Sequence, residues 1–217
     1  MISDSDAPTQ LQRPKNRSRT LLIVIVLGIG VIAIRWVLGY PLISLSSFNG
    51  RLVEPPVTGV DFALTATTGK PMALHEFRNR VTLIYFGYTF CPDVCPTTLA
   101  KLAGVLRQLT PDERDSIQVL MVTVDPQRDT QEKLKEYLAH FDPSFIGFTG
   151  SDDQIAKAAA AFNITYTKHA GSVESGYLVD HTASVAVVDQ EGTWRLIFPY
   201  ELGRDLILAD LTHLLRK

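Results

Sequence analysis

The 217-residue chain has only two cysteines, no excess of positive charge, no internal repeat and no low-complexity tract. Two cysteines leave no room for a disulfide framework. Cys91 and Cys95 stand so close together that joining them closes a negligible loop, and a disulfide stabilises mainly by closing long ones. Lysine and arginine number 21 against 23 acidic residues; beyond Tyr40 the balance is 16 against 21, about −5, which gives no electrostatic footprint for nucleic acid. Long apolar runs are scarce as well, and the exception lies near the N-terminus.

That exception is Leu21 to Ile34, which has no polar side chain; apolar character resumes after Arg35 with Trp36, Val37 and Leu38. Thr20 to Leu38 nearly reaches the ~20 apolar residues that span a bilayer, with Arg35 placed to snorkel and Trp36 and Tyr40 placed at the interface. Arg13, Lys15, Arg17 and Arg19 precede the run, so the N-terminus is expected to stay in the cytoplasm and the remainder to be exported. A cleaved signal peptide is the competing reading, with Val37-Leu38-Gly39 as the cleavage region. No cysteine follows the run to take a lipid. A short basic N-terminus containing Asp4 and Asp6 makes a poor transit peptide, which points to a bacterial periplasm or the outer face of the cytoplasmic membrane. The expected organisation is a cytoplasmic basic segment, 1–19, an anchor or uncleaved signal, 20–40, a tether, 41–58, and one domain, 59–217.

Within the domain, Gly59 to Thr65 alternates and Thr68 to Pro71 turns the chain. Val81–Tyr85 and Ile117–Val124 are continuous apolar runs of strand length, the pattern of strands buried on both faces. Leu99, Leu102, Val105, Leu106 and Leu109 recur at helical spacing, putting Cys95 at the start of a helix and Cys91 just ahead of it. Amphipathic helices are expected over Thr130–Phe141 and Ser151–Phe162, the second capped by Ser151, with a short strand at Phe145–Phe148 between them. A polar loop with Gly171 and Gly176 follows, then a hairpin of Ser184–Val188 and Thr193–Phe198, then a helix over Arg204–Arg216. This order fits an α/β sandwich with one central mixed sheet flanked by helices. A cysteine pair between the first buried strand and its helix narrows it to the thioredoxin-like architecture.

The motif Phe86-Gly87-Tyr88-Thr89-Phe90-Cys91-Pro92-Asp93-Val94-Cys95-Pro96 carries the chemistry. A helix N-terminus stabilises a thiolate, which both redox exchange and metal ligation require. Disulfide oxidoreductases generally have two residues between their cysteines; three give a looser bite that suits two thiolates converging on one ion. His181, in Val179-Asp180-His181-Thr182-Ala183, precedes the Ser184 strand, where thioredoxin-like folds usually carry a cis-proline beside the thiols. Two thiolates and an imidazole make a soft, low-coordinate metal site at Cys91, Cys95 and His181. Thiolates select Cu(I), whereas structural zinc normally takes four protein ligands; Cu(II) would need a further ligand from water or a partner. Asp93 is placed to tune the site or to favour the helix dipole, and Asp180 to orient His181. Asp125 and Asp129 read as turn and cap residues, with a functional role as the alternative, and Tyr85, Phe86 and Tyr88 as packing around the strand end and shielding the site. His75, His140, His169 and His213 have no Cys or His partner at ligand spacing and read as surface.

The strings FGYTFCPDVCP, VTVDPQRDT (Val122 to Thr130) and YLVDHTASVAVVD (Tyr177 to Asp189) resemble the Sco/SenC family of cytochrome c oxidase assembly proteins, over about Pro56 to Leu215. The resemblance implies a thioredoxin-like fold, Cu(I) or Cu(II) bound by Cys91, Cys95 and His181, and delivery of copper, or thiol maintenance, for the CuA centre of oxidase subunit II. It also implies a copper donor protein upstream. Two functions stay open: a metallochaperone, and an enzyme, a thiol-disulfide oxidoreductase keeping the oxidase cysteines reduced. A cysteine peroxidase fits less well, because that signature places Thr three residues before the reactive Cys and Thr89 precedes Cys91 by two.

Overall fold

The computed structural model describes residues 21–30, 48–170 and 176–216. Contacts divide the chain into two units, Met1–Leu45 and Ser46–Lys217. In the first, residues 21–30 form helix α1, whose apolar side chains are exposed. The rest of the expected 20–40 span lies outside the described residues. Among the described residues no helix is long and apolar enough to cross a membrane.

The second unit is built on an eight-stranded mixed sheet. In chain order its strands are β1 (Arg51–Thr58), β2 (Ala63–Ala66), β3 (Pro71–Ala73), β4 (Val81–Gly87), β5 (Ile117–Thr123), β6 (Ile146–Thr149), β9 (Val185–Val188) and β10 (Thr193–Phe198). Two more, β7 (Tyr166–Ala170) and β8 (Tyr177–His181), form a separate antiparallel pair. The spatial order of the large sheet is β1-β10-β9-β4-β5-β6-β2-β3. β4, β5 and β6 run parallel, and the remaining pairings are antiparallel.

The helices are α2 (Val94–Leu106), α3 (Pro111–Asp115), α4 (Gln131–Ala139), α5 (Asp152–Ala161) and α6 (Arg204–Leu215), with a 3-10 turn at Leu74–Phe77. α6 packs on β4 and on α2, α4 packs on β6, and α5 packs on β2. Every residue of β4 and β5 is buried, as expected of central parallel strands covered by helices. Local chemistry sets the ends. Thr130 Oγ1 accepts from Lys133 N–H at 3.3 Å and Ser151 Oγ from Gln154 N–H at 3.3 Å, satisfying donors that the first helical turn leaves unpaired. In the β9–β10 turn Asp189 Oδ1 accepts from the N–H groups of Glu191 and Thr193, and Gly192 has φ +84°, which a side chain would resist.

The central mixed sheet flanked by helices agrees with the sequence reading. Two segments differ from it. Arg51–Thr58, the end of the expected 41–58 tether, is strand β1, paired with β10 at the sheet edge, so the domain begins before residue 59. It is almost wholly exposed and contains Pro55 and Pro56, so it shows no alternation to read. The expected polar loop after α5 contains the β7–β8 hairpin, whose first strand is exposed at four of its five positions.

Candidate metal centre

β4 ends at Gly87, the chain loops through residues 88–93, and α2 starts at Val94. Cys95 therefore lies in the first turn of α2 and is fully buried, while Cys91 sits in the loop, half-buried. Such a position, beyond the carboxyl ends of parallel strands, is where α/β sheets hold their ligands. Gly87 is required there: a Cβ on it would lie 2.7 Å from Cε1 of Tyr85 and 3.0 Å from Sγ of Cys95.

His181 is the last residue of β8. Its Nε2 is 3.3 Å from Sγ of Cys95, and its Nδ1 is 3.2 Å from the carbonyl oxygen of Thr182. The rings of Tyr85 and Tyr88 meet the imidazole edge-on at 5.9 and 6.0 Å. The donor atoms of Cys91, Cys95 and His181 all lie within 4.8 Å of one another, and among the described residues no other such group occurs. First-row ions bond sulfur and imidazole nitrogen at about 2.0–2.3 Å, so this spacing needs little closing to seat one ion on all three donors.

The two sulfurs are electrostatically unequal. The Cys91 thiol is pulled down to about 3, first by the hydrogen bond from Cys95 and further by His181 and by the N–H groups of Asp93 and Cys95, against a desolvation cost. The N–H of Cys95 donates to Sγ of Cys91 at 3.4 Å. Cys95 is pushed up, by its bond to Cys91 and by burial. The two thiols therefore titrate as a coupled pair: the first proton leaves well below the usual thiol range, favouring the thiolate at the half-buried Cys91, and the second leaves well above it. Burial and the neighbouring sulfurs also push up Tyr85, whose buried hydroxyl has no hydrogen-bond partner. A second thiolate is thus disfavoured until a cation arrives.

The structure sorts the other sequence candidates. The Asp180 carboxylate does not reach His181: strand alternation turns it to the opposite face, where it meets Nε2 of His169 at 2.9 Å. The Asp93 side chain accepts from Thr97 Oγ1 at 3.3 Å without capping the helix. Phe86 points away from the metal group and packs at 6.0 Å from Phe162, whereas Tyr85 and Tyr88 shield the site as expected. Asp125 and Asp129 are more than turn residues, since both are completely buried. Asp129 accepts from the N–H and Oγ1 of Thr89, at 3.0 and 2.6 Å, and from Oγ1 of Thr123 at 2.6 Å, tying the cysteine loop to β5. A pair of carboxylates beside Pro126 and Arg128 gives no sign in the sequence of being wholly buried.

The SCO1/SenC family profile matches residues 51–216. The chain belongs to the SCO1/SenC family. A SCO2-like protein of Rickettsia felis is 34% identical over 169 residues, covering 77% of this chain and 82% of its own. The solution structure of apo Sco1 from Thermus thermophilus shares 39% identity at a TM-score of 0.70, covering 79% of this chain and 99% of that one. Bradyrhizobium japonicum ScoI, solved with copper bound, shares 34% identity at 0.66, covering 73% and 99%. These likenesses match the thioredoxin-like sandwich seen in this family member.

Proposed function

We propose that this SCO1/SenC protein is a copper metallochaperone, binding Cu(I) and Cu(II) as cargo through Cys91, Cys95 and His181 and passing it toward the CuA centre of cytochrome c oxidase subunit II. The observation that carries the reading is the convergence of two sulfurs and one imidazole nitrogen within 4.8 Å, where the cysteine loop, the start of α2 and the end of β8 meet. Soft thiolates favour Cu(I), and three protein ligands leave a coordination position through which a partner can take or give the metal. The copper-bound state of the Bradyrhizobium relative supports the choice of ion. The basic segment and apolar run before residue 40 support a single-pass anchor with the domain outside the cytoplasm, where a separate copper donor protein would load it.

A second reading has its own observation. Cys91 and Cys95 are both free, and Cys91 is a half-exposed thiolate, the form that attacks a disulfide. The protein would then reduce the oxidase cysteines. His181 separates the two readings, because ligation needs it and thiol exchange does not. In His181→Ala, copper binding is expected to collapse while Cys91 and Cys95 still form and break a disulfide. Oxidase activity should fall with it and recover on added copper, whereas Cys91→Ser or Cys95→Ser should lose both chemistries. Normal oxidase assembly by His181→Ala at limiting copper would make thiol reduction the main function.

A further inference from the structure

The hairpin that delivers His181 is not part of the central sheet; among the described residues, β7 and β8 pair with each other alone. Tyr177, Val179 and His181 alternate onto one face of β8, and the main chain of β8 is gripped at two points along the same edge. The N–H of Val179 donates to Oη of Tyr88 at 3.2 Å. The second grip comes from the turn after β5. Nη1 of Arg128 donates to the carbonyl of Tyr177 at 3.0 Å, and its guanidinium lies on the Tyr177 ring, 3.6 Å from the centroid. Asp125, wholly buried, accepts from Nε of Arg128 and from the Tyr177 hydroxyl, and Nζ of Lys168 stands 3.7 Å away. Both strands of the hairpin are held by this one carboxylate, through Tyr177 on β8 and Lys168 on β7. The same guanidinium lies 4.7 Å from the ring centroid of Phe90, next to Cys91.

We propose that Asp125 and Arg128 are positioning residues: a clamp at the end of β5 that seats the β7–β8 hairpin so that His181 meets the two sulfurs. An ion pair held in a protein interior adds little net stability compared with apolar packing, whereas a fixed planar guanidinium fork imposes geometry. Here that geometry ties the hairpin to the cysteine loop. Without the clamp the cysteines keep their places, because Asp129 and α2 hold them, but the third donor loses its fixed position. The inference rests on the copper reading for the metal, not for the clamp itself.

The test uses the full chain with Asp125→Asn, Arg128→Lys and Tyr177→Phe, loaded with Cu(II). Loss of an outer-shell support typically weakens metal binding about 10- to 100-fold, so Cu(II) should dissociate roughly tenfold faster or more. Nitrogen hyperfine coupling in the electron paramagnetic resonance spectrum should fall toward that of His181→Ala, with sulfur-to-copper charge transfer retained. In metal-free protein, amide exchange at Val179 should speed up in the variants while that of Cys95 stays unchanged. Tyr177→Phe removes one hydroxyl and keeps the ring, so it serves if Asp125→Asn does not fold. Folded variants with wild-type hyperfine coupling, dissociation and Val179 exchange would overturn the clamp. If wild-type protein shows no sulfur-to-copper charge transfer, the copper reading fails instead, and Val179 exchange alone decides the clamp.

Discussion

Cys91 and Cys95 share one proton at neutral pH, and the consequences of that proton can be measured. Binding an ion through both sulfurs must expel that shared proton, so copper loading at pH 7 should release about one proton per ion from the pair, and binding should weaken as pH falls. Isothermal titration in buffers of different ionisation enthalpy reads that number; release of none would mean that Cys95 does not ligate. Stability of the metal-free reduced protein carries the same signature. Cys91 is depressed, so its contribution is complete above the unfolded thiol value of about 8.5 and is lost as pH falls toward about 3. Cys95 is raised, so its contribution holds below about 8.5 and is lost as pH climbs beyond it. The urea midpoint should peak in the weakly alkaline range, and Cys91→Ser should flatten the acid limb. An unchanged acid limb in that variant would show Cys91 to be an ordinary thiol. The three proposed ligands were legible in the sequence because their chemistry is rare there: two cysteines in the whole chain, and a histidine where the fold usually has proline. Their supports were half legible: Asp125, Arg128 and Asp129 stand in the string VTVDPQRDT, but they are residue types found in any turn, and only burial and long-range partners show what they hold.

At the scale of elements, burial decided what could be read in advance. β4, β5, β9, β10 and α2 carry continuous or periodic apolar side chains, and their ends fall within a few residues of the sequence expectation. β1, β3, β7 and the short α3 have few or no fully buried side chains, so they leave no periodicity. What fixes the start of the domain is equally silent in the sequence. The N–H groups of Asn49 and Gly50 donate to the carboxylate of Asp210 on α6, at 2.7 to 3.0 Å, and Nδ2 of Asn49 adds a bond of 2.8 Å. Asp210 is 1% exposed, and these donors lie some 160 residues away along the chain. Hydrogen bonds to a charged group are each worth about 1.5–3 kcal/mol, and their loss here would leave the buried N–H of Gly50 unpaired. Asp210→Ala should therefore lower unfolding stability by about 2 kcal/mol or more, read as a drop in the urea midpoint. Copper stoichiometry of the folded protein should stay unchanged, because the carboxylate is far in the chain from every proposed ligand and contacts none. A stability change below about 0.5 kcal/mol would show that the segment before β1 is held some other way.

For the whole molecule, the proposed copper domain, Ser46–Lys217, is a unit with a core of its own. The apolar segment before it has a separate task in the proposed function. Cargo exchange with a membrane oxidase is an encounter problem, and confining the domain to the same membrane raises its effective concentration there without any added affinity. In that proposal the charges on the two sides of the run set the orientation: Arg13, Lys15, Arg17 and Arg19 precede it, and Arg35 is the one basic residue between it and Tyr40. Full-length protein is expected to sediment with membranes and to resist extraction by high salt, while residues 46–217 expressed alone should be soluble, folded and able to bind copper. A protease added outside spheroplasts should digest the domain or leave it as a released fragment of that size. Recovery of mature protein beginning near Tyr40 would establish cleavage, and the domain would then meet the oxidase by free diffusion. Full-length protein that washes off the membrane in salt would remove the anchor altogether.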